Sequence, residues 1–263
     1  MLALGYGQYV TQGGDWGFLI TRFVSCPSFK KLPKITISSR ALGHLYPSHV
    51  KALHTNWALA PFPSFTSSPL LAITSLFKHA LGSYLYTPRE RADLARAMLY
   101  VNGDTSGYFA LLSTKPTTVS FSLSDSPVGL LAFVYEKLHD WTDKYPWTDD
   151  EILTWISIYW FSEAGPGASG YIYKEFKRDK VWKLSKLQSW VSQPLGFRYF
   201  PGEIVSLPKG WLHAMGKVVQ VRESDKGGHF GAWECPEVIV DDLREMFGKG
   251  GGAFGVVEGK SGY

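Results

Sequence analysis

Val10-Thr-Gln-Gly-Gly-Asp-Trp-Gly-Phe18 runs from a short extended segment through two glycines into an acidic residue, a tryptophan and a third glycine. Small residues on both sides of Asp15 suit a sharp strand-to-helix turn. Such a turn pushes one side chain into a pocket and keeps neighbouring Cβ atoms out of its way. In a nucleophile elbow of this kind the exposed residue is usually serine, and here that position holds Asp15. A carboxylate placed there can attack an alkyl carbon and form an ester. The plainer reading is a helix N-cap, since Asp is favoured just before a helix.

The rest of the chain sets the bounds. Its 263 residues suit one or two domains with a sizeable core. Hydrophobic residues make up 45% and charged residues 19%, the composition of a folded globular chain. The net charge is +4, and its densest basic run, Lys174 to Lys186, is interleaved with acids and apolar residues. That run reads as a solvated helical face, so no nucleic-acid partner is expected. Two cysteines, Cys26 and Cys235, argue against a disulfide framework. Free thiols in a reducing compartment are expected, and with them a cytoplasmic location. The opening MLALGYGQYV has no basic n-region of a secretory signal, and no apolar run reaches the ~18 residues of a membrane helix.

Along the chain, 7–12 reads as a strand feeding the elbow, and Phe18, Leu19, Ile20 and Phe23 open an amphipathic helix. A helix over 41–45 ends at Tyr46-Pro47, and 50–59 reads as a second strand bounded by Pro61 and Pro63. From Pro61 to about Gln188 the pattern turns helical and aromatic, broken by Pro and Gly. Helices are expected over 88–101, 128–138, 169–176 and 182–190, and Thr148-Asp-Asp-Glu151 is a capping box that opens another through Phe161. Strand signals resume at 194–200, ending in Pro201-Gly-Glu203. A helix over 209–215, a strand over 216–222, the loop Asp225-Lys-Gly-Gly-His229 and a helix over 236–247 follow. The Gly-rich tail from Lys249 reads as frayed. Alternating strands and helices imply a parallel sheet with its working residues at the carboxyl ends of strands.

Asp15, Glu203 and His229 fall at such ends, in the chain order nucleophile, acid, His of an α/β-hydrolase triad. Each alone has a plainer account: Glu203 as a solvated loop acid, His229 as a structural histidine. In order, each after a strand signal, they form one constellation. The remaining histidines lack paired metal-ligand spacing, so no zinc site is expected. There is no phosphate-binding loop, and the glycines from Gly248 to Gly255 follow no strand. No cofactor is expected.

Several segments together carry a family resemblance: Gln12-Gly-Gly-Asp-Trp-Gly17, Tyr46-Pro-Ser-His-Val-Lys-Ala-Leu-His-Thr-Asn56, Ser113-Thr-Lys-Pro116, Asp125-Ser-Pro-Val-Gly-Leu130, Tyr171-Ile-Tyr-Lys-Glu175 and Gly227-Gly-His-Phe-Gly-Ala-Trp-Glu-Cys-Pro-Glu237. On these the chain resembles the α/β-hydrolase-fold epoxide hydrolases, in the microsomal-type branch that includes soluble fungal members. The resemblance implies an α/β fold with a partial core at 1–60 and 191–263 and an inserted helical lid at 61–190. It implies Asp15 as nucleophile, His229 as general base and Glu203 as its acid partner. It implies Tyr108 and Tyr173 as the phenols that hold the epoxide oxygen, and the backbone N–H of Trp16 as an oxyanion donor. The expected substrates are a small apolar or aromatic epoxide and water, and the assembly to look for is a homodimer.

The chain departs from the family pattern in two places. It begins almost at the elbow strand, where the family has a longer segment carrying the first strands and a His-Gly-x-Pro loop. And the 18 residues Phe23 to Arg40 intervene where the family reads straight through. The expectation is therefore an α/β-hydrolase sheet lacking its first strands, with an atypical insertion at 23–40. Two other functions remain open on the residues alone: a haloalkane dehalogenase on the same elbow, and an inactive truncated member of the family.

Overall fold

The computed structural model describes residues 1–25, 48–60, 62–66, 68–81, 85–178 and 190–260. Four strands form one parallel sheet in the order β1 (Tyr9–Gln12), β2 (Val50–Thr55), β3 (Val191–Tyr199) and β4 (Gly216–Glu223). Strand β1 is half-buried throughout, whereas five of the six residues of β2 are buried. That contrast fits an edge strand beside an inner one. In β2 successive side chains serve opposite faces, with Leu53 in the cluster around Phe18, Leu195 and Phe197 and Ala52 packed with Met246 and Ala253.

Between β2 and β3 every described element is a helix: α2 (Pro69–Ala80), α3 (Pro88–Asn102), α4 (Gly107–Thr114), α5 (Pro116–Asp125), α6 (Pro127–Asp140), α7 (Asp149–Trp160) and α8 (Gly170–Arg178), after α1 (Trp16–Ser25) near the start of the chain. They have a core of their own, with Leu112, Val119, Leu123, Leu130 and Ile156 buried together. The capping box foreseen at Thr148 is present: Thr148 Oγ1 accepts from the Glu151 N–H, and Glu151 accepts back from the Thr148 N–H at 3.0 Å. A second one, Thr87 with Glu90, opens α3.

The differences from the sequence reading are local and have plain causes. Strand β2 stops at Thr55 and not at 59, because Thr55 Oγ1 accepts from the Trp57 N–H and donates to its carbonyl, which turns the chain. The segment Lys209–Ala214 is a 3₁₀ helix. The tail is not frayed where it packs: Ala253 is buried against Met246, and the Glu258 N–H donates to Gln8. The expected helices at 41–45 and, up to its last residue, 182–190 lie outside the described residues. Of the 23–40 stretch, 23–25 close α1 and the rest lies outside the described residues.

After β4 the chain passes a single helical turn at Gly231–Glu234 and enters α9 (Pro236–Phe247), which packs on β3 and β4. Arg198 of β3 pins it through both oxygens of buried Asp242. Beneath the loop before α9 sits Phe200, fully buried with Cys235 and Ile239. Phe200→Ala is expected to destabilise the protein by about 3–5 kcal/mol. Urea unfolding measures this, and a loss below about 1 kcal/mol would contradict the packing described.

Candidate active site

Strand β1 ends at Gln12, and two glycines carry the chain to Asp15 before α1 begins at Trp16. Asp15 sits at φ +46°, in the left-handed region that non-glycine residues seldom occupy, with Asp among the few that tolerate it. Gly13 is required by space, and at Gly14 a side chain would have to displace the amide of Asn56. A Cβ on Gly13 would lie 2.7 Å from the Gly17 carbonyl carbon, and one on Gly14 2.7 Å from Asn56 Oδ1. The strained turn aims the carboxylate into the space between sheet and helices. Its side chain is 45% exposed, as a cavity-lining group must be. Trp16 is the first residue of α1, so its N–H points out of the helix without an intrahelical partner.

The other two members come from the ends of β3 and β4. A parallel bridge between Gly202 and Gly228 carries the sheet pattern past both strands, and the Gly202 N–H donates to the Gly227 carbonyl at 3.0 Å. That bridge sets Glu203 beside His229. Glu203 is 1% exposed, so the reading of it as a solvated loop acid does not hold. Its Oε1 lies 2.6 Å from His229 Nδ1 and accepts from the Ile204 N–H at 2.8 Å. On the other side of the ring, His229 Nε2 lies 3.7 Å from Asp15 Oδ2. The ring is thus held between two carboxylates, one buried and one lining the cavity.

That placement governs its protonation. Burial works against the imidazolium, but the Glu203 and Asp15 carboxylates outweigh it and push the pKa from its ordinary 6.5 up to about 10. The unfolded chain releases this proton near pH 6.5, while the folded protein keeps it to about pH 10. The imidazolium's contribution to stability is therefore complete below about pH 6.5 and is lost as pH rises through the folded value. Thermal melts across that window are expected to show a falling Tm, and the fall should vanish in His229→Gln. A wild-type Tm that stays flat would contradict the paired imidazolium.

Asp15 and His229 open on a cavity of about 390 Å³. Its walls are mainly apolar, with Leu112, Leu130, Phe133, Trp141 and Ile172 among them, and the phenols of Tyr108 and Tyr173 face the same space. The two rings meet edge to face at 5.9 Å, and Tyr173 stands edge to face on Trp16 at 5.1 Å. Burial raises both phenols well above the ordinary tyrosine value. For Tyr108 the neighbouring Tyr100 raises it further, whereas for Tyr173 a hydrogen bond with the Trp16 side chain pulls it part of the way back. Both therefore stay protonated and able to donate. A second cavity of about 330 Å³ lies against the same Asp15–His229 pair and is lined also by Gln12 and Asn56, whose side chains hydrogen-bond to each other at 3.0 Å.

All the residues singled out in the sequence as site candidates therefore border one space: Asp15, Trp16, Tyr108, Tyr173 and His229 line the cavity, and Glu203 backs His229. Sequence reasoning missed the groups that hold them. The Trp141 carbonyl accepts from the His229 N–H at 2.7 Å, and a Cβ on Gly228 would meet that same carbonyl at 2.5 Å. Glu234 accepts from the Gly228 N–H at 2.9 Å and from the Asp143 N–H at 2.8 Å. Asp143 in turn accepts from the Gly227 N–H at 3.1 Å. These bonds staple the His229 loop to the turn after α6. Their only trace in the sequence is that Glu234 lies within the Gly227–Glu237 segment already singled out.

No helix among the described residues is long and apolar enough to cross a membrane, and no cluster of His, Cys, Asp and Glu among them is arranged to hold a metal ion.

No family model matches the chain. Individual proteins do. The chain is 33% identical over 263 residues to epoxide hydrolase 1 of Sus scrofa, across 94% of this chain and 52% of that protein. The structure of the Aspergillus niger epoxide hydrolase superposes with a TM-score of 0.68 at 30% identity, covering 92% of this chain and 53% of the other. The juvenile hormone epoxide hydrolase of the silkworm Bombyx mori superposes with a TM-score of 0.72 at 27% identity, over 92% and 55%. The chain spans about half the length of the curated relatives it matches.

Proposed function

We propose that this chain, a relative of the epoxide hydrolases of the α/β-hydrolase fold by sequence and by structure, opens epoxides to vicinal diols through an ester on Asp15. The observation that carries the proposal is the convergence on one apolar cavity of a strained carboxylate, two phenols and a histidine backed by a buried glutamate.

The chemistry follows from those groups. An epoxide is strained, and its ring opens when the oxygen receives a proton as the C–O bond breaks. Tyr108 and Tyr173 hold that oxygen and supply the proton. The Asp15 carboxylate attacks a ring carbon along the cavity and forms an alkyl ester. No base is needed for this step, because a carboxylate attacks without giving up a proton; the protonated His229 beside it does no harm.

Ester formation then changes His229. The esterified Asp15 is neutral, and one of the two carboxylates that favoured the imidazolium is gone. The ring gives up its proton more readily, which restores the phenol, and becomes a base when a base is required. Glu203 holds Nδ1, leaving Nε2 to take a proton from water. That water attacks the ester carbonyl beside the Trp16 N–H, where the developing oxyanion is met by the amino end of α1. The diol leaves and the carboxylate is restored.

The phenols favour this reading over halide displacement. A departing halide needs no proton, whereas two half-buried phenols on the same cavity as the nucleophile suit an oxygen leaving group. The apolar walls suit an epoxide with an apolar or aromatic substituent. Incubation of the purified chain with styrene oxide tests the proposal: phenylethanediol should accumulate, and intact mass should catch a transient adduct of one epoxide per chain. Absence of both diol and adduct would overturn it.

A further inference from the structure

Helix α3 reaches both halves of the site with two side chains one turn apart. Arg96 Nη1 donates to the Glu203 carbonyl at 2.6 Å. Four residues later, on the same face of the helix, Tyr100 Oη lies 3.1 Å from Tyr108 Oη. The helix is anchored at its other end as well, by the Thr87–Glu90 capping box and by Arg89 Nη1, which donates to the Ser224 carbonyl at 2.9 Å. Ser106 Oγ donates to the Tyr100 carbonyl at 2.7 Å, which ties the end of α3 to the start of α4, where Tyr108 sits. The Tyr100 hydroxyl is thus presented to Tyr108 from a fixed support.

Two hydroxyls in contact can share their hydrogen bond in either direction. With an epoxide in the cavity the choice is removed. Without one, Tyr108 gives its proton to the Tyr100 oxygen, which is how Tyr100 raises that phenol; once Tyr108 turns its proton to the epoxide oxygen, its own oxygen is left to accept, and Tyr100 is the donor within reach. As the reaction proceeds, the Asp15–carbon bond forms and the epoxide C–O bond breaks with its electron pair on oxygen. The Tyr108 proton passes to that oxygen, and Tyr108 is left as a phenolate in mainly apolar surroundings, with the Lys137 ammonium 5.1 Å from the centre of its ring and the Tyr100 hydroxyl at its oxygen. An unsupported phenolate there is costly, and a hydrogen bond to a charged oxygen is worth more than one to a neutral oxygen.

We infer that Tyr100 is a positioning residue of the ring-opening step: it donates to the Tyr108 oxygen, holds that phenol toward the epoxide and supports the phenolate until the proton released by His229 returns to it. This rests on the proposed epoxide opening, and it gives Tyr108 a donor of its own, as the Trp16 side chain gives Tyr173.

Tyr100→Phe keeps the ring and removes only the hydroxyl. In single turnover with styrene oxide it is expected to slow ester formation by roughly ten- to a hundred-fold while leaving ester breakdown unchanged. Added to Tyr108→Phe, it should cost nothing further. Equal losses in both backgrounds, or equal slowing of both steps, would overturn the inference, because a packing role would produce them. A second arm does not depend on turnover. The carbonyl of benzamide stands in for the epoxide oxygen, and calorimetry should find its binding weakened several-fold by Tyr100→Phe only when Tyr108 is present. Amide binding without that coupling overturns the inference. Coupling in the amide arm with no ester from the wild-type chain upholds the tyrosine pair and sinks the proposed reaction instead.

Discussion

Asp15→Asn is expected to abolish both the epoxide adduct and the diol, with turnover falling on the order of 10⁴-fold or more. The choice of substitution matters. Asp15 occupies φ +46°, and asparagine is among the few residues that accept such a backbone. The elbow should therefore keep its shape, where alanine would add strain of about 1 kcal/mol or more. Asparagine also fills the same space beside His229 Nε2. What it removes is the charge and the nucleophilic oxygen. Intact mass after exposure to styrene oxide gives the readout, and an adduct that persists in Asp15→Asn would place the nucleophile elsewhere. The variant should also shed the Asp15 contribution to the raised pKa of His229, so its Tm should fall less between neutral and alkaline pH than that of the wild type.

His229→Gln is expected to do the opposite to the adduct. A carboxylate nucleophile needs no base to attack, so ester formation should continue. Ester breakdown needs an activated water, and its rate should fall on the order of 10⁴-fold. The adduct then accumulates to one per chain instead of passing through. Glutamine can keep a hydrogen bond to Glu203, which limits the cost of leaving that buried carboxylate alone. This outcome separates two mechanisms. If His229 instead activated water to attack the epoxide directly, no adduct would form in either protein, and diol production would fall with no mass change. A His229→Gln chain that neither traps the adduct nor loses turnover would sink the assignment of His229 altogether.

The trapped state would also show the exchange of charge that the site geometry implies. The resting ring lies between two carboxylates, and the proposed reaction would remove one of them for the length of the ester's life. A base that is protonated at rest and freed by the first step fits a two-step reaction in which only the second step needs it.

The legible part of the fold is the part set by local chemistry. Pro88 at the first turn, the Thr148–Glu151 box and Pro236 mark helix starts that the structure reproduces, because capping and missing N–H groups act within a few residues. The strands expected over 7–12, 50–59, 194–200 and 216–222 are found, with shifted ends, at 9–12, 50–55, 191–199 and 216–223, legible as short runs between breakers. The end of β2 was misread because the side chain of Thr55 turns the backbone onto Trp57, and threonine otherwise favours strands. The packed tail was misread because glycines lack any local preference that would reveal Ala253 against Met246.

The site divides in the same way. Asp15, Glu203 and His229 stand out in the sequence because each follows a strand signal in the order of a triad. Tyr108 and Tyr173 follow from family resemblance, since nothing local separates them from the other tyrosines. Tyr100, Arg96, Asp143 and Glu234 leave no such mark.

The sequence by itself determined the elbow, the order of the triad residues and the alternation that yields a parallel sheet, because backbone sterics and hydrophobic periodicity act over a few residues. Only the tertiary structure decided that Glu203 is buried rather than solvated, and that His229 is held between two carboxylates. It likewise decided that Arg96 reaches a carbonyl 107 residues away. Those facts depend on which distant segments share one low-dielectric space, and no local pattern carries that information.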